Sequence, residues 1–135
     1  MSRLVLVSNR VLDLRKASQA GGMAVALADI VRARSSIWFG WNGETTDAEH
    51  ADVVVREGRI ATAPLTMSEY EGYYLGYANS VLWPVFHNRL DLAQFEAGFF
   101  GHYQAVNRRL AALLQPLLRP DDTIWVHDYH LIPFA

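Results

Sequence analysis

An α/β fold with a mainly parallel sheet is what this sequence predicts, and three observations predict it. Leu4-Val5-Leu6-Val7 and Thr123-Ile124-Trp125-Val126 are short, continuous apolar runs, and each empties into polar residues, Ser8-Asn9-Arg10 and His127-Asp128-Tyr129-His130. Strand-like and helix-like segments alternate between them, the signature of parallel strands joined by helical crossovers. The first strand is followed by a polar loop and then by a helix entered through Gly21-Gly22.

Taken in order, Leu4 to Val7 forms the first strand and residues 11–20 a polar loop. From Met23 to Arg32, Met23, Leu27, Ile30 and Val31 share one face at helical spacing, with no Gly or Pro to interrupt them. Ile37-Trp38-Phe39-Gly40-Trp41 reads as a strand closed by an Asn42-Gly43 turn. Val53-Val54-Val55-Arg56 and Arg59-Ile60-Ala61-Thr62-Ala63 flank Glu57-Gly58 as a hairpin. Ser68 is the expected N-cap of a helix through Tyr70, Tyr73, Tyr74 and Tyr77, with Trp83-Pro84 ending it or following in an extended link. Phe99, Tyr103, Val106, Leu110, Leu113, Leu114 and Leu117 keep helical spacing until Pro116 ends or kinks the helix. A turn at Pro120-Asp121-Asp122 leads into the last strand, expected to be buried.

The chain has 135 residues, 51% hydrophobic and 19% charged, which is a globular composition long enough for one core. A net charge of -2 supplies no basic field, so neither nucleic acid nor an anionic membrane is the expected partner. A small ligand held by a few placed groups fits better. Without cysteine there is neither a disulfide scaffold nor thiolate chemistry, and without a leader-like or 18-residue apolar stretch the cytoplasm is the default.

In open parallel sheets, ligands bind beyond the carboxyl ends of the strands. Arg10 stands at such an end and can hold a phosphate through paired charge-assisted bonds, although an exposed surface arginine is the plainer alternative. Gly21-Gly22 can bring a phosphate close to free N–H groups at a helix start, or can serve only a tight turn. Neither GxGxxG nor GxxxxGK[ST] occurs, so a standard dinucleotide fingerprint or P-loop is not supported. The tryptophans are expected in or near the core, with Trp83 the exception, its ring placed to lie against a sugar face and the hydroxyl of Tyr74 near the same segment. His127, Asp128 and His130 invite a metal reading. Neighbouring positions on an extended strand end point to opposite sides and no second cluster completes a site, so no metal is expected and Asp128 is read as an acceptor for hydroxyls.

Five segments in order, Leu6-Val7-Ser8-Asn9-Arg10, Ala20-Gly21-Gly22, Trp38-Phe39-Gly40-Trp41, Asn79 through His87, and Ile124 through Leu131, resemble the amino-terminal part of the trehalose-6-phosphate synthase family of retaining glycosyltransferases. The resemblance covers essentially the whole chain. It implies transfer of glucose from UDP-glucose to glucose 6-phosphate, two Rossmann-like domains facing one cleft, and no cofactor. Residues 1–135 would form an incomplete Rossmann-like, acceptor-binding domain of the two-domain GT-B kind, with the nucleotide-sugar-binding domain and the active-site histidine beyond Ala135 and the isolated chain inactive. By the same resemblance Arg10 and Tyr74 contact the acceptor phosphate, Trp83 shapes the acceptor sugar pocket, Asp128 binds acceptor hydroxyls, and Gly21 and Gly22 lie against the donor. In the loop before them, Asp13, Arg15 and Lys16 replace a proline that the family often carries. A glucosylglycerol-phosphate synthase and a non-catalytic sugar-phosphate-binding or regulatory module are the alternatives, and a homo-oligomeric full-length form stays open.

Overall fold

The computed structural model describes residues 2–13 and 22–135. Strand β1 (Leu4–Arg10) lies between β2 (Ser36–Thr46) and β5 (Thr123–Val126), and both pair with it in parallel. Strand β4 (Ile60–Thr66) continues the parallel sheet beside β2, and β3 (Val54–Arg56) folds back onto β4 antiparallel, giving the order β3-β4-β2-β1-β5. The expected α/β fold with a mainly parallel sheet is the observed one.

Alternation along β1 explains why the sheet needs cover on both faces. Val5 and Val7 face a core built with Phe39, Leu65, Tyr73, Val106 and Leu110, whereas Leu6 faces the other way, toward Trp38, Leu27 and Val31. Helix α1 (Gly22–Ala33) covers the second face with Leu27, Ala28 and Val31, while Met23, expected on that face, is 57% exposed. The first face is covered by α4 (Phe99–Leu114) and by a continuous helical segment made of α2 (Met67–Glu69), a π-helix (Tyr70–Leu82) and α3 (Trp83–Phe86). A short 3₁₀ turn, Gln115–Leu117, carries Pro116 at the end of α4, as the proline requires. Among the described residues no helix is long and apolar enough to cross a membrane.

Four local expectations are corrected. The N-cap of α2 is Thr66 rather than Ser68: its hydroxyl accepts from the Glu69 N–H while the Glu69 carboxylate reaches back to the Thr66 N–H, a complete capping box. Trp83-Pro84 neither ends the helix nor forms an extended link: the helical run continues through Pro84 to Phe86. The carbonyl of Ser80, four residues before that proline, accepts instead from the Gln94 N–H at 2.8 Å. Asn42-Gly43 does not close β2. The strand runs on to Thr46 through an irregularity in which Asn42 Oδ1 accepts the Glu44 N–H and Gly43 takes a φ of 86°. Lastly, β5 is not buried: Ile124 and Trp125 are 45% and 49% exposed, because β5 is an edge strand and no described element packs over these two side chains.

Candidate acceptor-binding site

The parallel pairing of β1 and β5 brings their carboxyl ends to one edge of the sheet, and a pocket of 540 Å³ opens there. Ser8, Asn9 and Arg10 from β1, Gly22 and Met23 from the start of α1, Tyr74 and Asn79 from the π-helix, and Asp128, Tyr129 and His130 after β5 line it. Three of the sequence-predicted residues, Arg10, Tyr74 and Asp128, therefore meet in one cavity with Gly22 at its rim. Gly21 lies outside the described residues. Trp83 does not line the pocket; its indole, 41% exposed, stacks on the His87 ring with centroids 4.2 Å apart.

The polar triplet that ends β1 divides into structural and available groups. Ser8 Oγ donates to the Arg10 carbonyl and accepts from Trp38 Nε1, and Asn9 Oδ1 accepts the buried Tyr73 hydroxyl at 2.6 Å. Arg10 alone keeps its donors: among the described residues its guanidinium has no hydrogen-bond partner and lies 5.9 Å from the Trp41 ring centroid. Gly43 makes that placement possible, since a Cβ there would come within 2.8 Å of the guanidinium nitrogens. A larger pocket of 650 Å³ opens on the other side of Arg10, between Asn42, Glu44, Arg56 and Glu57, so the guanidinium stands at a junction of two cavities. Asp13, Glu44 and Glu57 outweigh Arg10 and Arg56 in the lining of that second cavity, which therefore offers an anion less than the first does.

Asp128 occupies a position that strains the backbone, with φ 77° and ψ 158°, a region other residues leave almost entirely to glycine at a cost of about 1–3 kcal/mol. Its Oδ1 accepts the Tyr129 N–H at 2.7 Å, and its Oδ2 stands 3.4 Å from His130 Nδ1. The contact with His130, opposed by burial and aided by the Tyr129 N–H, holds the carboxyl below the usual carboxylate range. Asp128 is thus ionised at neutral pH and acceptor-only, suited to hydroxyl donors.

The sequence offers His130 only as a metal ligand, and its place in the fold is different. Its ring is buried between Tyr74, stacked at 5.6 Å, and Tyr129, stacked at 4.3 Å, and its carbonyl accepts from Asn107 Nδ2. His127 packs on Trp125 instead, and burial pushes its imidazole pKa down. Among the described residues no three His, Asp or Glu side chains are grouped so as to hold a metal ion. Asn9, Gly43 and Tyr129 were not singled out from the sequence; the adjacency of Asn9 to Arg10 and the Asn-Gly dipeptide at 42–43 were the only signals available.

Residues 5–135 match glycosyltransferase family 20. The chain belongs to that family. A trehalose-6-phosphate synthase of Salmonella arizonae is 47% identical over 137 residues, an alignment covering all of this chain and 29% of the relative. The crystal structure of an α,α-trehalose-phosphate synthase (UDP-forming) from Burkholderia vietnamiensis superimposes with a TM-score of 0.87 at 47% identity, over 99% of this family 20 chain and 30% of that one. A synthase from Burkholderia xenovorans, solved in complex with glucose-6-phosphate, gives a TM-score of 0.86 at 46% identity, over 97% of this chain and 29% of that one. This family 20 chain therefore spans a little under a third of the length of the relatives it matches.

Proposed function

We propose that residues 1–135 supply the acceptor-binding side of an α,α-trehalose-phosphate synthase, which transfers glucose from UDP-glucose to glucose 6-phosphate. The observation that carries this reading is a guanidinium without a hydrogen-bond partner among the described residues, Arg10, sharing one pocket with the hydroxyl of Tyr74 and the ionised carboxylate of Asp128. A sugar phosphate presents a dianionic end and several hydroxyl donors. Arg10 answers the first with charge-assisted bonds, Tyr74 adds a neutral donor, and Asp128 accepts from the second. Gly21 and Gly22 are assigned to the donor side, and Trp83 to the acceptor sugar; both assignments rest on the family resemblance.

In this reading the segment binds and orients, and it contributes to rate by fixing the acceptor hydroxyl toward the donor carbon, an effect that can be worth several kcal/mol. The remaining two thirds of the relatives' length are assigned the donor and its leaving diphosphate. No cofactor is required by the proposed transfer, and its setting is the cytoplasm.

Arg10→Ala in an enzyme carrying this segment tests the reading. Losing charged hydrogen bonds of about 1.5–3 kcal/mol should lower kcat/KM for glucose 6-phosphate by about tenfold to a hundredfold or more, with UDP-glucose binding far less affected. Equal losses for both substrates, or preferential use of glycerol 3-phosphate by the unmodified enzyme, would reject it, the latter in favour of a glucosylglycerol-phosphate synthase.

A further inference from the structure

The two phosphate contacts assigned above, Arg10 and Tyr74, lie on different elements, one at the end of β1 and the other on the π-helix. Their immediate neighbours in the chain are bonded to each other. Tyr73 Oη donates to Asn9 Oδ1 at 2.6 Å, with Tyr73 fully buried and Asn9 7% exposed. Asn9 is also the irregular residue of β1: Ser8 pairs with Gly40 and Arg10 with Trp41, so two steps along β1 match one along β2. Such a bulge bends the strand and re-aims the side chains that follow it. Here it sets Arg10 level with Trp41, over whose ring the guanidinium lies.

We propose that Asn9 and Tyr73 are positioning residues for the acceptor phosphate: their hydrogen bond pins the β1 bulge to the π-helix and so fixes Arg10 relative to Tyr74. This rests on the acceptor-site reading and extends it to Asn9, whose side-chain oxygen is taken up by Tyr73, and to Tyr73, which does not line the pocket. The Tyr73 ring is held from behind by Tyr103, with centroids 6.1 Å apart, and meets His130 edge-on at 6.3 Å, so its hydroxyl is aimed rather than free to swing. Burial keeps that hydroxyl protonated, and therefore a donor, throughout the ordinary pH range. A buried neutral bond adds little net stability compared with an apolar pair of the same shape, and what it adds is a fixed length between two elements.

Tyr73→Phe keeps the ring and deletes the donor. In the full-length enzyme carrying this segment, the KM for glucose 6-phosphate should rise about tenfold, the factor that corresponds to one lost bond's worth of positioning. The KM for UDP-glucose should stay within about twofold, kcat should fall less than the acceptor KM rises, and inorganic phosphate should weaken as an inhibitor by the acceptor factor. Asn9→Ala should reproduce the shift, and the double variant should add nothing further, because both substitutions remove the same bond. An unchanged acceptor KM, equal increases for both substrates, or additive effects of the two substitutions would overturn the inference. If Tyr73→Phe fails to fold, Asn9→Ala alone decides by the same split. An unmodified enzyme that makes no trehalose 6-phosphate would sink the functional reading instead, and the inference would then stand or fall on whether Tyr73→Phe weakens inorganic phosphate binding measured by calorimetry.

Discussion

Arg10 is aimed by its surroundings, and Gly43 is the residue that leaves room for its guanidinium. A side chain there would face two costs, a φ of 86° that L-residues avoid and a Cβ within 2.8 Å of the guanidinium nitrogens. Gly43→Ala should therefore displace Arg10 from its place over Trp41 while deleting no binding group. On the proposed acceptor-site reading, the expected outcome in a full-length enzyme carrying this segment is a rise of severalfold or more in the KM for glucose 6-phosphate with a smaller change for UDP-glucose, measured by steady-state kinetics; a variant whose acceptor KM matches the unmodified enzyme would show that Arg10 finds its position without the glycine. Asp128 makes a complementary point after the carboxyl end of the neighbouring strand, β5. Its strained backbone is maintained by its own side chain on the Tyr129 N–H and by His130, so a carboxylate is kept in a conformation it would not choose.

At the scale of elements, the π-helix Tyr70–Leu82 decides how the first face of the sheet is covered. It packs on α4 through Gly76, where an added Cβ would meet the ring of Phe99 at 2.6 Å, and Tyr77 lies 4.7 Å from Tyr103 across the same contact. Gly76→Ala should destabilise the fold by about 1–3 kcal/mol, since overpacking outweighs the gain in helix propensity of about 1 kcal/mol. Chemical denaturation followed by circular dichroism checks this, and a variant as stable as the parent would mean that α4 can shift outward at no cost. The same helical run is anchored at its start by the Thr66–Glu69 capping box, whose carboxylate also holds Arg109 of α4 by paired bonds of 2.8 Å. One glutamate thus ties the helix start to its neighbour.

For the whole molecule, two sets of titrating groups bound the pH range of stability. Asp122, gripped at both oxygens by Arg3, is held below the usual carboxylate range by that contact, and Asp128 by His130. Carboxyls lowered in the folded state contribute stability above their unfolded pKa of about 3.9, and that contribution is lost as the pH falls through the lower folded values. Tyr103 and Tyr129 are pushed up to about 12, chiefly by burial. Tyrosines raised in the folded state contribute stability below their unfolded pKa of about 10, and it is lost as the pH rises from there through about 12. The stability profile should therefore be flat near neutrality with respect to these four groups, falling in acid below about pH 4 and in alkali above about pH 10. Thermal melts across pH with Asp122→Asn should show a shallower acid limb; an acid limb identical to that of the parent would remove Arg3–Asp122 as its cause.

Much of this was legible in the sequence because it depends on local pattern. The apolar runs at Leu4–Val7 and Thr123–Val126, the helical spacing from Phe99 to Leu117 and the polar residues after each strand already imply a parallel sheet with a binding edge, since period and strand polarity are properties of neighbouring residues. Arg10, Tyr74 and Asp128 could be singled out one by one for the same reason. Their convergence on one pocket was implied only by the family resemblance and by no local pattern, because it depends on β1 and β5 being adjacent and on the π-helix lining the same pocket. The role of Asn9 was likewise hidden, since only the fold brings Tyr73 to its amide and only strand pairing creates the bulge. Exposure of β5 and continuation of the helix through Pro84 were decided by neighbours far along the chain, the bare edge in one case and the Gln94 N–H in the other. Local chemistry named the candidates, whereas long-range packing chose which of their polar groups are spent on structure and which remain open to a ligand.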